Sequence, residues 1–299
     1  MQKIVPNLWF DDQAEDAAQF YVSMFANSTI GAVSRYGKEG FEIHGQPEGR
    51  AMTVAFELSG YRLLALNGGP HFHFTPAILL FIVLQTEAEV DALWAGLSEG
   101  GTALMPLQAY EWSGTYGWLN DRYGLSWQIM LGRHEDVGQT ITPSLLFVDA
   151  QHGRAEEAIN HYLSVFSNSG IDGIHRYGRG GIDAEGTIKH AQFRLNGEAF
   201  MAMDSAVEHG YGFTEAISFV VHCDTQDEID RYWQALSAVP EAEECGWLKD
   251  RFGVSWQVVP GVLPDMLMNP DREKVERVIH ACMQTKKFDI AALQKAYAG

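Results

Sequence analysis

Cysteine is scarce. Cys223, Cys245 and Cys282 are odd in number among 299 residues and show no CxxC spacing, so neither a disulfide framework nor a thiolate metal knuckle is expected. Long apolar runs are missing as well: the longest, Ala77 to Leu84, falls far short of the roughly 20 residues that a bilayer span needs. Positive charge is thin, with 21 Lys+Arg against 39 Asp+Glu and a formal net charge of −18. Such a surface repels phosphate backbones and anionic lipid headgroups, so neither nucleic acid nor a membrane is expected as a partner. Met1 to Pro6 lack a signal-peptide apolar region, and with the thiol usage this points to a cytoplasmic location.

Catalytic signatures are also wanting. Gly124-Leu125-Ser126-Trp127-Gln128 misses the last glycine of a hydrolase nucleophile elbow, and it falls in a hairpin rather than a strand-to-helix turn. His134-Glu135-Asp136-Val137-Gly138 lacks the second histidine of a zinc protease helix. No Walker A loop occurs, and Gly178-Arg179-Gly180-Gly181 does not have the dinucleotide spacing. What is present is a well-built globular composition, 46% hydrophobic and 20% charged, in a length that suits about two domains.

The chain contains itself twice. Arg35-Tyr36-Gly37 returns as Arg176-Tyr177-Gly178, and Tyr21 and Phe25 return as Tyr162 and Phe166. Gly117-Trp118-Leu119-Asn120-Asp121-Arg122-Tyr123-Gly124-Leu125-Ser126-Trp127-Gln128 returns from Gly246 to Gln257 with most residues kept. The offset between copies shrinks along the chain, so the second copy has lost residues, mostly opposite Gly100 to Tyr116. A unit this long is a domain duplication rather than a solenoid repeat.

Within a copy, hydrophobic periodicity reads strand, helix, then three strands, done twice. Ala14, Ala17, Ala18, Tyr21 and Phe25 share one helical stripe, and Glu87 to Leu97 forms a second helix. Strands are expected at Lys3 to Phe10, Thr29 to Tyr36, Ala51 to Leu58, Tyr61 to Leu66, Ala77 to Leu84, Thr102 to Tyr110, Gly117 to Asn120 and Ser126 to Leu131. Each copy is therefore βαβββ-βαβββ. Beyond it, helices are expected from Pro270 to about Thr285 and from Ile290 to Tyr297.

Leu8-Trp9-Phe10-Asp11, Ala14 to Tyr21, Phe25-Ala26-Asn27-Ser28, Ala65 to Phe72, the twice-used Gly-Trp-Leu-x-Asp-Arg-x-Gly-x-Ser-Trp-Gln hairpin and the tail Met283 to Leu293 together carry a resemblance. The chain resembles the PhnB-like family, often labelled demethylubiquinone methyltransferase-like. That family lies within the vicinal oxygen chelate superfamily of glyoxalase I, extradiol dioxygenases and bleomycin-resistance proteins. The resemblance implies an α+β fold of two tandem glyoxalase-like domains, at 1–135 and 140–262, followed by a helical tail at 263–299. Single-domain relatives commonly pair as dimers, so the duplication is expected to build such a pair within one chain; a homodimer of the whole chain stays open.

The superfamily implies a small molecule in a β-sheet cup, with a divalent metal as the cofactor to test for. Its ligands would come from first and last strands, which here offer Asn7 and Gln128, with His71 and His73 two apart in a following loop. Neutral amides hold divalent cations weakly, so the set is thin and the reading leans to metal-free binding. Aromatics are the alternative wall of a ligand cleft: Trp9, Phe56, Trp118, Trp127, Trp247 and Trp256, with Trp112 and Phe193 beside them. Such residues on strands are equally at home in a core. Arg35 and Arg176, each followed by a tyrosine, are read either as anion holders or as partners of ion pairs with Asp121 or Asp250, the ion pair being the expected role, and Cys223 is expected to pack rather than react. Three functions stay in play: a metal-assisted isomerase, lyase or oxygenase; a non-catalytic binding or resistance protein; and the methyltransferase of the family label, which has no glycine-rich strand-to-helix turn to support it.

Overall fold

The computed structural model describes residues 2–299. The first module is β1 (Ile4–Phe10), α1 (Ala14–Met24), β2 (Thr29–Arg35), the single turn α2 (Phe41–His44), β3 (Ala51–Leu58) and β4 (Tyr61–Asn67). The second is β5 (Ile78–Leu84), α3 (Glu87–Ser98), β6 (Thr102–Tyr110), β7 (Ser113–Asn120) and β8 (Ser126–Leu131). After the connecting turn α4 (His134–Val137), the third module runs through β9 (Ile141–Phe147), α5 (Ala155–Val165), β10 (Gly170–Arg176), β11 (Ile188–Leu195) and β12 (Glu198–Asp204). The fourth has β13 (Ile217–Cys223), α6 (Gln226–Leu236), β14 (Trp247–Lys249) and β15 (Ser255–Pro260). This last module is one strand short. The missing residues of copy two are those that form β6 in copy one, and a short 3-10 turn at Pro240–Ala242 takes their place.

The modules do not pair within a copy. A seven-stranded sheet runs β14-β15-β13-β1-β4-β3-β2, and an eight-stranded sheet runs β10-β11-β12-β9-β5-β8-β7-β6. The first sheet joins module one to module four through antiparallel β1 and β13, and the second joins module two to module three through β5 and β9. Every sheet therefore takes one module from each repeat, four strands and three in the seven-stranded sheet and four and four in the eight-stranded one. Within a module the first strand lies parallel to the last, which leaves the helix to cross one face.

That helix face holds the core. Alternate residues of both sheets, such as Ile4, Leu8 and Phe10 on β1 and Ile141, Leu145 and Phe147 on β9, join the buried stripes of α1, α3, α5 and α6 in one cluster. The helices thus lie between the sheets, and the opposite sheet faces turn outward as two cups. The starts of α1 and α5 are tied to last strands, whereas α3 and α6 are capped locally by Thr86 and Thr225. Asn67 Oδ1 accepts from Ala14 N at 2.8 Å, and Asp204 Oδ1 accepts from Gly153 N and Ala155 N.

The repeated Gly-Trp-Leu hairpin ties each copy across the two sheets. Asp121 Oδ1 accepts from the turn amides of Tyr123 and Leu125, while Oδ2 accepts from Trp127 Nε1 and from Tyr21 Oη on α1, each at 2.8 Å. Asp250 repeats all four bonds with Phe252, Val254, Trp256 and Tyr162. Burial lifts both carboxyls above the usual carboxylate range, and the four donors oppose that rise. The arginines expected to meet these aspartates go elsewhere: Arg35 pairs with Glu15 at 2.9 Å and Arg176 with Glu156 at 2.6 Å. The correction has a plain cause, since the aspartates are already fully satisfied inside the core.

Two measurements follow. A hydrogen bond to a charged group contributes about 1.5–3 kcal/mol, so Tyr21→Phe and Tyr162→Phe should each lower unfolding free energy by about that much in urea melts. Wild-type melting midpoints would show that the phenols are not ties. Glu198, whose Oε1 accepts from Lys3 N at 2.7 Å and Ile4 N at 3.3 Å, is pushed by burial from 4.5 up to about 7. A carboxyl raised on folding contributes stability in full below its unfolded value and loses it as pH climbs through its folded one. Stability should therefore decline between about pH 5 and pH 8, and Glu198→Gln should flatten that decline in a series of melts; an unchanged slope would exclude Glu198 as its source.

Candidate functional site

The outward face of the seven-stranded sheet is roofed by the chain's own tail. After Gly261 come α7 (Leu263–Leu267), α8 (Arg272–Met283) and α9 (Ile290–Ala298). Leu263, Leu267, Met268, Cys282, Met283 and Phe288 lie across the cup and leave a cavity of ≈ 380 Å³. Straps hold the roof on both rims. Cys245 N and Gly246 N donate to Thr285 O and Lys286 O, at 2.9 and 2.7 Å, beside β14. On the other rim, His280 Nδ1 lies 2.8 Å from Glu39 Oε1. Gly246 is required there: it has φ +83, and a Cβ would stand 2.3 Å from the Phe288 ring. Below the roof, Gln257 Nε2 donates to Ser218 Oγ at 3.0 Å and Asn7 Nδ2 approaches the same oxygen at 3.5 Å.

The eight-stranded sheet has no such cover. Its cup encloses ≈ 950 Å³ over a floor of Phe81, Trp118, Met130, Leu146, Met201 and Met203. Phe81, Trp118, Met130 and Met201 of this floor belong to an apolar cluster separate from the main core. Trp118 is oriented by its Nε1, which donates to Ser126 Oγ at 2.8 Å. On the module-two rim Trp112, 55% exposed, stacks on Tyr110 at 5.0 Å. The module-three wall carries His175, Lys189, His190 and His209. The connection between the copies closes one end: Val137 lines the cup, and its carbonyl accepts from Arg194 Nη2 at 2.9 Å. Gln128 faces this cup without a side-chain hydrogen bond among the described residues.

The residues singled out from sequence scatter over these surfaces. Trp118 lines the open cup and Trp247 the roofed one. Phe56, Trp127 and Trp256 lie in the core between the sheets, as does Phe193. Trp9 fills the space above Gly68, donates to Gly69 O at 2.7 Å, and meets Phe72 edge-on at 4.9 Å. Asn7 and Gln128 occupy different sheets, so it is Gln257 that shares a cup with Asn7. His71 and His73 are exposed in the loop after β4, where His73 O accepts from Thr214 Oγ1 of the other copy at 2.9 Å. Cys223 is packed, and burial pushes its thiol up to about 12.

A metal does not fit these donor sets. Around Asn7 the donors are two amides and a hydroxyl already bonded to one another, with no carboxylate or imidazole in the group. Among the described residues, no group of three His, Cys, Asp or Glu side chains gathers to hold an ion.

Sequence reasoning passed over His175 and His190, which are cross-strand partners on β10 and β11. Strand alternation could have found them, because the matching partners in copy one, Ser34 and Thr53, are small hydroxyl residues.

Two-module sheets facing away from a shared helical core define a glyoxalase-like protein in tandem form. The profile of the family described as 3-demethylubiquinone-9 3-methyltransferase matches residues 2–130 and again 139–259, and the chain belongs to that family. A putative 3-demethylubiquinone-9 3-methyltransferase, a PhnB protein from Bacillus cereus, is 38% identical over 44% of this chain and 100% of its own, with TM-score 0.41. Glyoxalase I from Zea mays is 9% identical with TM-score 0.52, covering 88% of this chain and 93% of its own, a likeness of fold. A glyoxylase/bleomycin resistance protein/dioxygenase domain from Frankia is 18% identical over 42% of this chain and 94% of its own, with TM-score 0.30. No curated protein matches the chain.

The roof is testable. Truncating a buried aromatic costs about 3–5 kcal/mol, so Phe288→Ala should lower stability by that order and speed labelling of Cys245 and Cys282 by a thiol reagent. Unchanged labelling would show that the tail does not shield the cup.

Proposed function

We propose that this chain binds one small organic molecule, in the open cup of the eight-stranded sheet. The observation that carries the reading is the broken symmetry of the duplication. One cup is covered by α7, α8 and Phe288, while its counterpart keeps ≈ 950 Å³ over a floor of Trp118 and four methionines, beside a wall of polar and charged side chains. A concave site with an apolar floor and polar groups to orient the ligand is the usual form of a small-molecule pocket. Methionine suits a floor that adapts to its ligand, because the side chain is unbranched and polarizable.

Gln128 and Trp118 are the residues to orient a ligand there, Gln128 through its free amide and Trp118 as a wall fixed by Ser126. The roofed cup is read as a structural relic of the second site. The family description names a methyl transfer, but the strand-to-helix connections at Asp11–Gln13, Gln85–Thr86, Val148–Arg154 and Asp224–Thr225 contain no glycine-rich cradle for a methyl-donor nucleoside. These connections give methyl transfer no support, and the amide and hydroxyl donors near Asn7 give a resident metal none.

Methionine methyl NMR tests the assignment. In a small-molecule screen, the Met130, Met201 and Met203 signals should shift with a hit while Met268 and Met283 stay in place. Shifts confined to Met268 and Met283 would move the site to the roofed cup and overturn the reading.

A further inference from the structure

The two cups began as copies and now differ most in charge. The roofed cup is lined by Glu39, Glu244, His44 and His222 and, among the described residues, by no lysine or arginine. Lys189, Arg176, His175, His190 and His209 all border the open cup, facing Asp136 and Asp204. Both of those acids are engaged: Asp136 pairs with Arg133 at 2.6 Å, and Asp204 accepts backbone amides from Gly153, Ala155 and Ile188. Lys189 enters no ion pair among the described residues. In a chain of net charge −18 with only 21 Lys+Arg, such a gathering stands against the prevailing field.

The register shows how it arose. Ser34 and Thr53, opposite one another in the roofed cup, satisfy each other at 2.6 Å. His175 and His190 hold the same cross-strand positions in the open cup, and neither imidazole has a side-chain hydrogen bond among the described residues. Directly opposed side chains lie within about 4.5–5.5 Å at Cβ, close enough to grip one group together. Where the roofed cup has a closed hydroxyl pair, the open cup has two imidazoles free to donate at the wall of its apolar floor.

We propose that the open cup takes an amphipathic organic anion, a flat apolar or aromatic body bearing a carboxylate-type group, with the body on Trp118, Met130 and Met201 and the anionic group at His175, His190 and Lys189. The inference rests on the open cup being the binding site. The other charged and titratable groups around the pair are Arg176, held by Glu156, Tyr177, His209, Asp136, Asp204, and Asp172, which binds Gln192 and Arg194. Burial, and then the neighbouring His175, lower the His190 imidazole below its ordinary value. An anion between the rings favours their protonated forms, so binding takes up protons and strengthens as pH falls.

The test compares 2-naphthoate with its neutral counterpart 2-naphthalenemethanol, by calorimetry on the full chain and by the methionine methyl signals. At pH 6 naphthoate should bind at least about 10-fold more tightly, as charge-assisted hydrogen bonds allow, and the advantage should shrink at pH 8.5. A triple variant, His175→Gln, Lys189→Gln and His190→Gln, should abolish the advantage while leaving naphthalenemethanol binding intact, which shows that the cup still folds. Equal affinities for both probes, or a preference for naphthoate that survives the triple substitution, would overturn the anion assignment and leave the open-cup reading standing. If neither probe shifts Met130, Met201 or Met203, the open-cup reading falls with it.

Discussion

Two buried carboxylates organise this molecule. Asp121 and Asp250 each close a hairpin turn with one oxygen and tie a tyrosine and a tryptophan with the other. The tyrosine comes from a helix lying on one sheet and the tryptophan from a strand of the other. Sheet pairing joins different copies, so these polar knots are what holds each copy together through the core. A buried charge is tolerated only when its acceptor sites are filled, and here four donors fill them. The need for all four explains why the hairpin sequence is kept almost unchanged between repeats whose other segments have drifted.

Crossing the modules between sheets has a geometric result. A single module has an open first strand that must find a partner, and the seams β1–β13 and β5–β9 satisfy both needs with antiparallel ladders. Each cup then straddles the two repeats, with one module from each. The ten-residue contraction in copy two removes a strand from one sheet only. The tail packs beside that shortened edge, where its residues Thr285 and Lys286 bond the backbone at Cys245 and Gly246. Loss of a strand and gain of a roof are thus neighbouring events on the same rim.

Much of this was legible in residues. The repeats, the strand and helix order and the tail helices follow from hydrophobic period and from motif recurrence, because those signals are local. The absent strand of module four was also foreshadowed by the shrinking offset, though the reading kept it as βαβββ. Sheet partnership was not legible, since a first strand such as Ile4–Phe10 has the same alternation whichever first strand it pairs with. That ambiguity is what set Asn7 beside Gln128 on paper, whereas the seam puts it beside Ser218 and Gln257. The aromatics divided for a similar reason. Trp127 and Gln128 are adjacent in sequence, so one faces the core and the other the cup, and only the sheet's orientation says which.

The divergence of the cups bears on what duplication does here. While two equal sites exist, neither can fill with protein side chains without loss of binding, and after duplication one is free to do so. The seven-stranded sheet has gone that way, trading a cavity for the apolar contacts of Leu263, Leu267 and Phe288. Burying those side chains stabilises the chain by a few kcal/mol on the usual scale of apolar burial. The eight-stranded sheet keeps a floor of methionines open to its cup, with a glutamine and two histidines that have no side-chain hydrogen bond among the described residues. A fold that has closed one of two equivalent cavities and left such groups open in the other has the asymmetry on which the proposed ligand site rests.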